Sequence, residues 1–298
     1  INNADLGLNY SYSFGRDNYI SPFKSLDKIP LIGNRISKTK VYYSPEKFST
    51  NMNLSESEEN TLMRTGTNTD TYDLGLNRSY ILNYKITDNM KSNYKKTINS
   101  DLDFYMEKNG YSKSDLLSDL SPGLIQSVSE DLSNTFSPDI LAWLDPSIKY
   151  NPYYTWNISN QTDSIPSATI ESKTYVESSF NFGPKEFIGV FYKPESAKKK
   201  KTSGRKRGRK QTSSNNQEPL LKIENESVKK IFDEVYSYAS KISKITIKYT
   251  YNARHRHSNI RSDQFIDYNY RLGLAWTPEN LQFNDLNESI SSYLHDFD

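Results

Sequence analysis

The sequence contains no cysteine, few aliphatic residues and no long apolar run. Of its 298 residues 35% are hydrophobic, and the mean hydropathy is -0.80, whereas globular domains have roughly 45–50% apolar residues. The absence of Cys excludes disulfide bonds, thiolate zinc sites and a cysteine nucleophile. No window approaches the ~20 consecutive apolar residues of a membrane helix, so helical membrane spans are excluded.

The first residues lack two common features of a chain start. Residue 1 is Ile rather than Met, and no signal-peptide hydrophobic region follows it. We therefore expect the chain to be an internal part of a longer protein.

Aromatic residues, by contrast, are abundant. They make up 13% of the chain and include 23 Tyr, whereas disordered chains contain few aromatics. Tyr mixed with Asn, Ser and Thr is typical of strands that have one apolar and one polar face. The composition therefore predicts a β-protein rather than a packed enzyme core.

Period-two alternation predicts about eight or nine antiparallel strands. The longest run covers residues 72–86, and a polar turn at 87–89 separates it from a second run at 90–98, which predicts a hairpin. Several of these runs exceed the ~5–6 residues usual in globular sheets, and a weak alternation of this kind is typical of membrane β-strands. Further alternating runs lie at 6–14, 48–54, 148–158, 170–182, 245–251 and 266–276.

Two segments have helical spacing instead. Residues 227–242 carry apolar side chains at i, i+3, i+4 and i+7, and Ser227 is the predicted N-cap of this amphipathic helix. Between residues 112 and 144 we predict two short helices on either side of Pro122 and Gly123. The second of these would contain Leu124, Val128 and Leu132.

One segment accounts for the basic character of the chain. The formal net charge is +2, from 38 basic and 36 acidic residues, and without the nine basic residues of this segment it would be 29 − 36 = −7. We predict a disordered, solvated loop, with anionic lipid headgroups as the alternative partner. Nucleic acid is not an expected partner, because no aromatic side chain interleaves the charges. The basic loop consists of Lys198, Lys199, Lys200, Lys201, Arg205, Lys206, Arg207, Arg209 and Lys210.

The sequence offers little for catalysis. It has three His, and the arginines of the 254–257 cluster Arg-His-Arg-His would repel a metal cation, so His255 and His257 are predicted to form a polar strand end or a lumen-facing patch. No nucleophile, zinc or phosphate-binding motif is present. A glycosidase-type pair among the many carboxylates remains open from sequence alone. We expect no enzyme activity, cofactor or metal.

The Tyr and Trp residues have two interpretations. They could fill the core of a soluble β-sandwich, or they could form the interfacial girdles of a membrane β-barrel. Aromatic strand ends, such as Trp276 before Thr277 and Pro278, favour the barrel.

Residues 72–94, YDLGLNRSYILNYKITDNMKSNY, carry a resemblance to a known family. They resemble the SprA/Sov family of outer-membrane translocons of the type IX secretion system, in which a strand of the form R-x-Y-x-L-x-Y-x-L-T precedes a polar turn and a second strand. Residues 36–64 and 140–156 are similar to the segments on either side. The likeness covers about the middle half of the chain, and the family's acidic motif is only loosely matched at 98–103.

The resemblance implies a very large single-chain barrel in the outer membrane of a Gram-negative bacterium, through which folded cargo proteins reach the cell surface. This chain would be one arc of an all-β, antiparallel transmembrane β-barrel wall with short helical insertions in its loops. The implied partners are outer-membrane lipid, secreted cargo proteins, and plug and accessory subunits. Two alternatives are a small outer-membrane barrel and a soluble β-rich surface-binding protein.

This interpretation divides the chain and assigns its faces. We expect barrel strands at 1–104, 147–192 and 244–298, a helical loop insertion at 105–146, the disordered basic loop at 193–226 and the amphipathic helix at 227–243. The lipid-facing candidates are Tyr72, Leu74, Leu76, Leu82, Ile86, Tyr268, Leu272, Leu274 and Trp276. The lumen-facing candidates are Asp73, Asn77, Asn83, Lys85, Asp267, Asn269 and Arg271.

Overall fold

The computed structural model describes residues 2–15, 17–29, 32–62, 68–115, 122–141, 143–160, 166–194, 221, 223 and 225–283. The strands are β1 (Asn2–Ser13), β2 (Tyr19–Ile20), β3 (Val41–Tyr42), β4 (Lys47–Leu62), β5 (Asn68–Thr87), β6 (Met90–Asp101), β7 (Leu124–Phe136), β8 (Leu144–Asn160), β9 (Ser167–Phe182) and β10 (Ile245–Arg261). The helices are α1 (Gly33–Ile36), α2 (Asp103–Asn109), α3 (Pro184–Phe191), α4 (Glu226–Lys241) and α5 (Tyr268–Arg271), with a 3₁₀ turn at Lys24–Lys28. None of the described helices is long and apolar enough to cross a membrane.

The long strands form one antiparallel sheet in the order β1-β4-β5-β6-β7-β8-β9-β10. Long strands that follow one another in the sequence are paired, and the edge strands β1 and β10 have one long partner each, so the sheet is a meander. Short strand β2 pairs with β3, which joins β5 at its end. Over the described residues the sheet does not close, because β1 and β10 are its two edges.

Strand register places apolar residues of neighbouring strands opposite one another. Leu76 of β5 lies opposite Leu54 of β4, which in turn lies opposite Leu6 of β1. Because successive side chains of a strand point to opposite sides, these pairings define two faces. The apolar face carries the even-numbered positions of β1 and β4 to β9 and the odd-numbered positions of β10 up to His257. A β-bulge then shifts the register, so that Ile260 also lies on this face, opposite Ala168. The polar face carries the remaining positions of these strands.

The two ends of the sheet carry different connections. The Asp88 end carries the tight turn between β5 and β6 and the link from β9 through α3 and α4 to β10. The Gly123 end carries α2 and the connection into β7, together with residues 262–283 after β10. Both buried hydrophobic clusters of the described chain lie on the apolar face at the Gly123 end.

The structure confirms several predictions. The described chain is mostly antiparallel sheet, the hairpin around 87–89 is formed by β5 and β6, and the amphipathic helix is α4. The N-cap of α4 is Asn225 rather than Ser227, because the Asn225 side chain accepts hydrogen bonds from the backbone N–H groups of Ser227 and Val228.

Three element predictions are wrong. Residues 124–136 form β7 within the predicted helical insertion, because they pair with β6 and β8 along their length. Residues 184–191 form α3 where strand was predicted. Pro184 is its first helical residue, a position whose backbone N–H would have no acceptor within the helix, so proline is tolerated there. Residues 266–276 are not a strand, because the Asp267 carboxylate caps the backbone N–H of Tyr270 and starts the short helix α5. The basic loop and the first helix predicted in 112–144 lie largely outside the described residues.

Candidate functional site: the two faces of the sheet

The polar face is hydrophilic along its whole width. On β5, β6 and β7 the Asn77 amide donates to Asn99, and the Asn99 amide donates to Ser127 Oγ at 2.8 Å. These side chains are directly opposite one another in the register. Opposed amides and hydroxyls of this kind form hydrogen bonds across strands and hold a wet face together without apolar contact.

Ion pairs continue this polar face across β8, β9 and β10. Glu177 lies 2.8 Å from Lys149 Nζ on one neighbouring strand and 3.2 Å from Lys248 Nζ on the other. Glu171 lies 2.8 Å from the guanidinium of Arg254. The lysine and arginine partners are half exposed, so each pair contributes little to stability. Their effect is a face of alternating charge with little apolar area.

The apolar face has a bare zone at the Asp88 end. We define the bare zone as the even-numbered positions of 8–12, 48–52, 82–86, 90–94, 132–136, 144–150 and 176–182, together with the odd-numbered positions of 245–251. None of these positions carries a charged residue. Many of its side chains are exposed, among them Tyr10 at 54% and Ile247 at 63% relative accessibility. Monomeric soluble proteins seldom expose an apolar surface this continuous.

The apolar face has a covered zone at the Gly123 end, and α2 covers one half of it. Leu74 of β5 is buried against Leu102, which directly precedes α2. Two charged residues of this half have partners in the covering chain: Lys113 Nζ lies 2.5 Å from Glu56, and the guanidinium of Arg78 donates to the Pro122 carbonyl at 3.3 Å.

Residues 262–283 cover the other half of the covered zone. Tyr270 is fully buried in a cluster with Tyr154, Ile170 and Ile260. Its hydroxyl donates to the His255 carbonyl at 3.0 Å, and its own carbonyl accepts from Ser172 Oγ at 2.9 Å. Burial raises the pKa of the Tyr270 phenol above its usual range, so the phenol remains a hydrogen-bond donor.

A buried ion pair fixes the same segment over β7. The Arg271 guanidinium forms a bidentate pair with Glu130, with the Nε contact at 3.0 Å, and Lys96 lies 3.2 Å from the same carboxylate. Both paired side chains are largely buried. An open pocket of about 600 Å³ lies beside this pair. It is lined by residues of β6, α2, β7, β8 and the 262–271 segment, including Trp156 and Ile266.

The β5 residues singled out from sequence divide between the two faces of the sheet. Asp73, Asn77, Asn83 and Lys85 are on the polar face, and Lys85 pairs with Asp88 in the turn at 2.7 Å. The apolar candidates of β5 divide between the two zones: Leu74, Tyr72 and Leu76 belong to the cluster around Leu102, and Leu82 and Ile86 lie in the bare zone.

The candidates beyond residue 266 lie in the covering segment 262–283 and not in a strand. Tyr268, Leu274 and Trp276 are exposed, and the Leu272 carbonyl accepts a hydrogen bond from Tyr150. Three predicted lumen residues occur here as well. Asp267 caps α5, Asn269 is exposed and Arg271 pairs with Glu130.

His255 and His257 do not form a polar strand end. Both are buried on the apolar face, where His255 stacks on Trp276 and His257 Nε2 lies 3.4 Å from the Trp276 carbonyl. Among the described residues no three His, Asp or Glu side chains form a potential metal site. Glu130 was not identified from the sequence. It could have been found as the one acidic residue among the even-numbered positions of β7, which are mostly apolar.

Both edges of the sheet offer open backbone groups. Every residue of β1 is exposed, and its free edge has no partner strand within the described chain. Within the described residues, the β10 edge is bridged only near its end, where Ile260 pairs with Phe283. Long unprotected edges are a template for pairing with further strands.

These features define a class: an antiparallel meander with one continuous apolar face, one polar face and two open edges. No family model matches the chain, and no curated protein matches it.

Proposed function

We propose that this chain is one arc of the wall of an outer-membrane protein-export channel of the type IX kind. The observation that carries the proposal is the bare zone, an uncharged apolar surface that spans five to seven residues of each of eight neighbouring antiparallel strands. The whole strands have 12–20 residues, more than the about 9–11 residues of a membrane β-strand, which presents an apolar band to lipid. The resemblance of residues 72–94 to SprA/Sov supports the particular channel.

The polar face suits the lumen of such a channel. Its amides, hydroxyls and paired charges would remain hydrated and leave little apolar area on which a passing protein could bind. The lumen would contribute no covalent chemistry; cargo would pass through a hydrated pore that plug and accessory subunits close.

The covered zone would lie outside the bilayer in this proposal. Strand β5 has 20 residues, about twice the length that crosses a bilayer. Its Gly123 end carries Arg78 on the apolar face and lies beneath the chain's own segments. The Asp88 half therefore would lie in lipid, and the Gly123 half would project beyond the headgroups.

The open edges favour an arc over a complete barrel. Eight strands close only a narrow barrel filled by side chains, and a pore for folded proteins requires many more. In a larger wall β1 and β10 would each pair with a neighbouring strand.

Arginine substitutions at two adjacent positions of β5 test the membrane face. Leu82→Arg places a charge in the bare zone and should cost about 2–4 kcal/mol of folding free energy in lipid if the site is near the midplane. Asn83→Arg, on the polar face, is the matched control and should cost much less. Leu76→Arg would disturb packing around α2 in any solvent. Equal small effects at 82 and 83 in a lipid folding assay would refute the membrane wall.

A soluble β-rich surface-binding protein is the second candidate, and the covered zone favours it, because chain segments docked through polar contacts are common in soluble folds. Circular dichroism and heat-modified gel mobility of residues 1–298, in detergent and in buffer, separate the candidates. Soluble monomeric β-structure in buffer would support this second candidate. Aggregation in buffer without a heat-resistant form in detergent is expected of an open arc, and a resistant form would indicate a small closed barrel.

A further inference from the structure

Helix α4 has a second apolar side that its neighbour does not use. Its inner side packs on α3: the ring of Phe232 lies 5.5 Å from that of Tyr192, the Tyr192 hydroxyl donates to Asp233 at 2.7 Å, and Ala239 is buried. A separate stripe with 3-4-3-4 spacing lies beside this contact and is exposed. It consists of Val228, Ile231, Val235, Tyr238 and Ile242.

We propose that this stripe lies in the surface of an anionic bilayer, so that α4 is an in-plane membrane anchor beside the arc; the inference rests on the proposed function. Ile231 is 62% and Tyr238 66% exposed. A helix with one apolar line and a polar remainder is the form of an interfacial anchor.

The chain path supports this occupant. The stripe ends at Ile242, and three residues later β10 begins with Ile245, whose side chain is exposed in the bare zone. The exposed stripe and the surface proposed to face lipid are therefore joined by only two residues of chain, Ser243 and Lys244. Both lie at the Asp88 end of the sheet.

Aromatic side chains mark the same level. Trp143 and Phe182 of the sheet end contact Phe187 of α3 at ring distances of 5.0 and 5.6 Å, and Phe187 contacts Phe191. Aromatic residues collect where a membrane protein passes the headgroup region. The helix pair α3 and α4 thus would sit at the height of an interfacial girdle.

The positive charge of the segment between α3 and α4 favours an anionic bilayer over a neutral one. The sequence between α3 and α4 contains the nine basic residues of 198–210, and a polybasic stretch next to an amphipathic helix is attracted to anionic headgroups by about 1 kcal/mol per charge near the surface. A partner helix fits less well, because α3 already occupies one flank of the stripe and a coiled-coil seam needs both flanks.

The absence of native Cys makes a site-specific test direct, because a single introduced cysteine takes up an environment-sensitive NBD label alone. Ile231→Cys and Tyr238→Cys report on the stripe. Ser237→Cys, exposed on the same helix but away from the stripe, is the matched control, and Leu82→Cys reports on the sheet. Each labelled full chain is reconstituted into phosphatidylcholine vesicles with and without phosphatidylglycerol.

We expect NBD at 231 and 238 to blue-shift and brighten several-fold in vesicles containing phosphatidylglycerol, and to be quenched by a shallow nitroxide lipid, while the label at 237 remains in water. Signal at 82 without signal at 231 and 238 would overturn the anchor and leave the proposed function standing. Silence at all three positions would overturn both. Disulfide-linked dimers of the unlabelled Ile231→Cys chain, with no response to lipid, would assign the stripe to a second copy instead.

Discussion

At the scale of single residues, several polar side chains of the apolar face lie where the chain folds back on itself. Glu56, Arg78, Glu130 and Ser172 each bond to residues 113–122 or to residues 262–283. A buried charge on this face without such a partner would carry a large desolvation penalty. The bare zone contains no charged residue, and this distinguishes it from the covered zone.

Removing Glu130 should release the covering segment. Glu130→Ala leaves the buried Arg271 guanidinium without its carboxylate, and breaking a buried pair from one side costs about 3–5 kcal/mol. Denaturant titration in detergent measures the loss. Asp145→Asn, which breaks the half-exposed pair with Lys244, is the control and should cost no more than about 1 kcal/mol; equal losses would contradict the role given to Glu130.

Gly273 should tolerate no side chain. Its φ is +69°, and a Cβ would clash with Thr174 Oγ1. Gly273→Ala should cost about 1–3 kcal/mol from the left-handed backbone alone, and more from the clash. Faster proteolysis between 262 and 283 would report the loosened segment. Adding Thr174→Ala should restore part of the protection; an unchanged cleavage rate in the single variant would count against this docking geometry.

At the scale of elements, alternation predicted most of the strands. Two further segments show why a pattern can fail: β7 was predicted as helix, and 266–276 was predicted as strand. In β7 the spacing of Leu124, Val128 and Leu132 is that of a helix face, yet positions four apart also share a strand face. The intervening serines carried the strand signal. In the segment 266–276 a true alternation was overridden by the Asp267 cap and the left-handed Gly273, features that depend on docking against β9.

The cap of α4 separates the sequence prediction from the structure. Asn225→Ala should cost about 1 kcal/mol, because the side-chain Oδ1 of Asn225 accepts from the backbone N–H groups of Ser227 and Val228. Ser227→Ala should leave helix stability almost unchanged. Hydrogen exchange of the first turn of α4 measures both, and the reverse order of effects would restore Ser227 as the cap.

At the scale of the whole molecule, the charge is unevenly distributed along the chain. The nine basic residues of 198–210 reverse the sign of the remainder, which is −7 without them. The faces and the covered zone of the sheet, by comparison, depend on pairing between distant residues. Sequence reasoning assigned the β5 faces, but it could not show that Arg271 meets Glu130 across 141 positions.

Replacing all nine basic residues by Gln should weaken binding of the chain to anionic vesicles. The attraction is electrostatic, so binding of the unmodified chain should also fall as salt rises, because screening shortens to about 8 Å at physiological ionic strength. Vesicle flotation over a salt series measures both. Binding that is equal for the two chains and insensitive to salt would exclude a role for this charge.

The neighbour-to-neighbour pairing of the meander also constrains how such a sheet can change size. Inserting one strand would reverse the direction of every later strand. Each later loop would then lie at the other end of the sheet. Adding a hairpin preserves direction, faces and loop sides together. A wall built this way can therefore widen or narrow in evolution by whole hairpins, and gene duplications of about thirty residues would be the natural unit of its growth, given two strands of the lengths seen here.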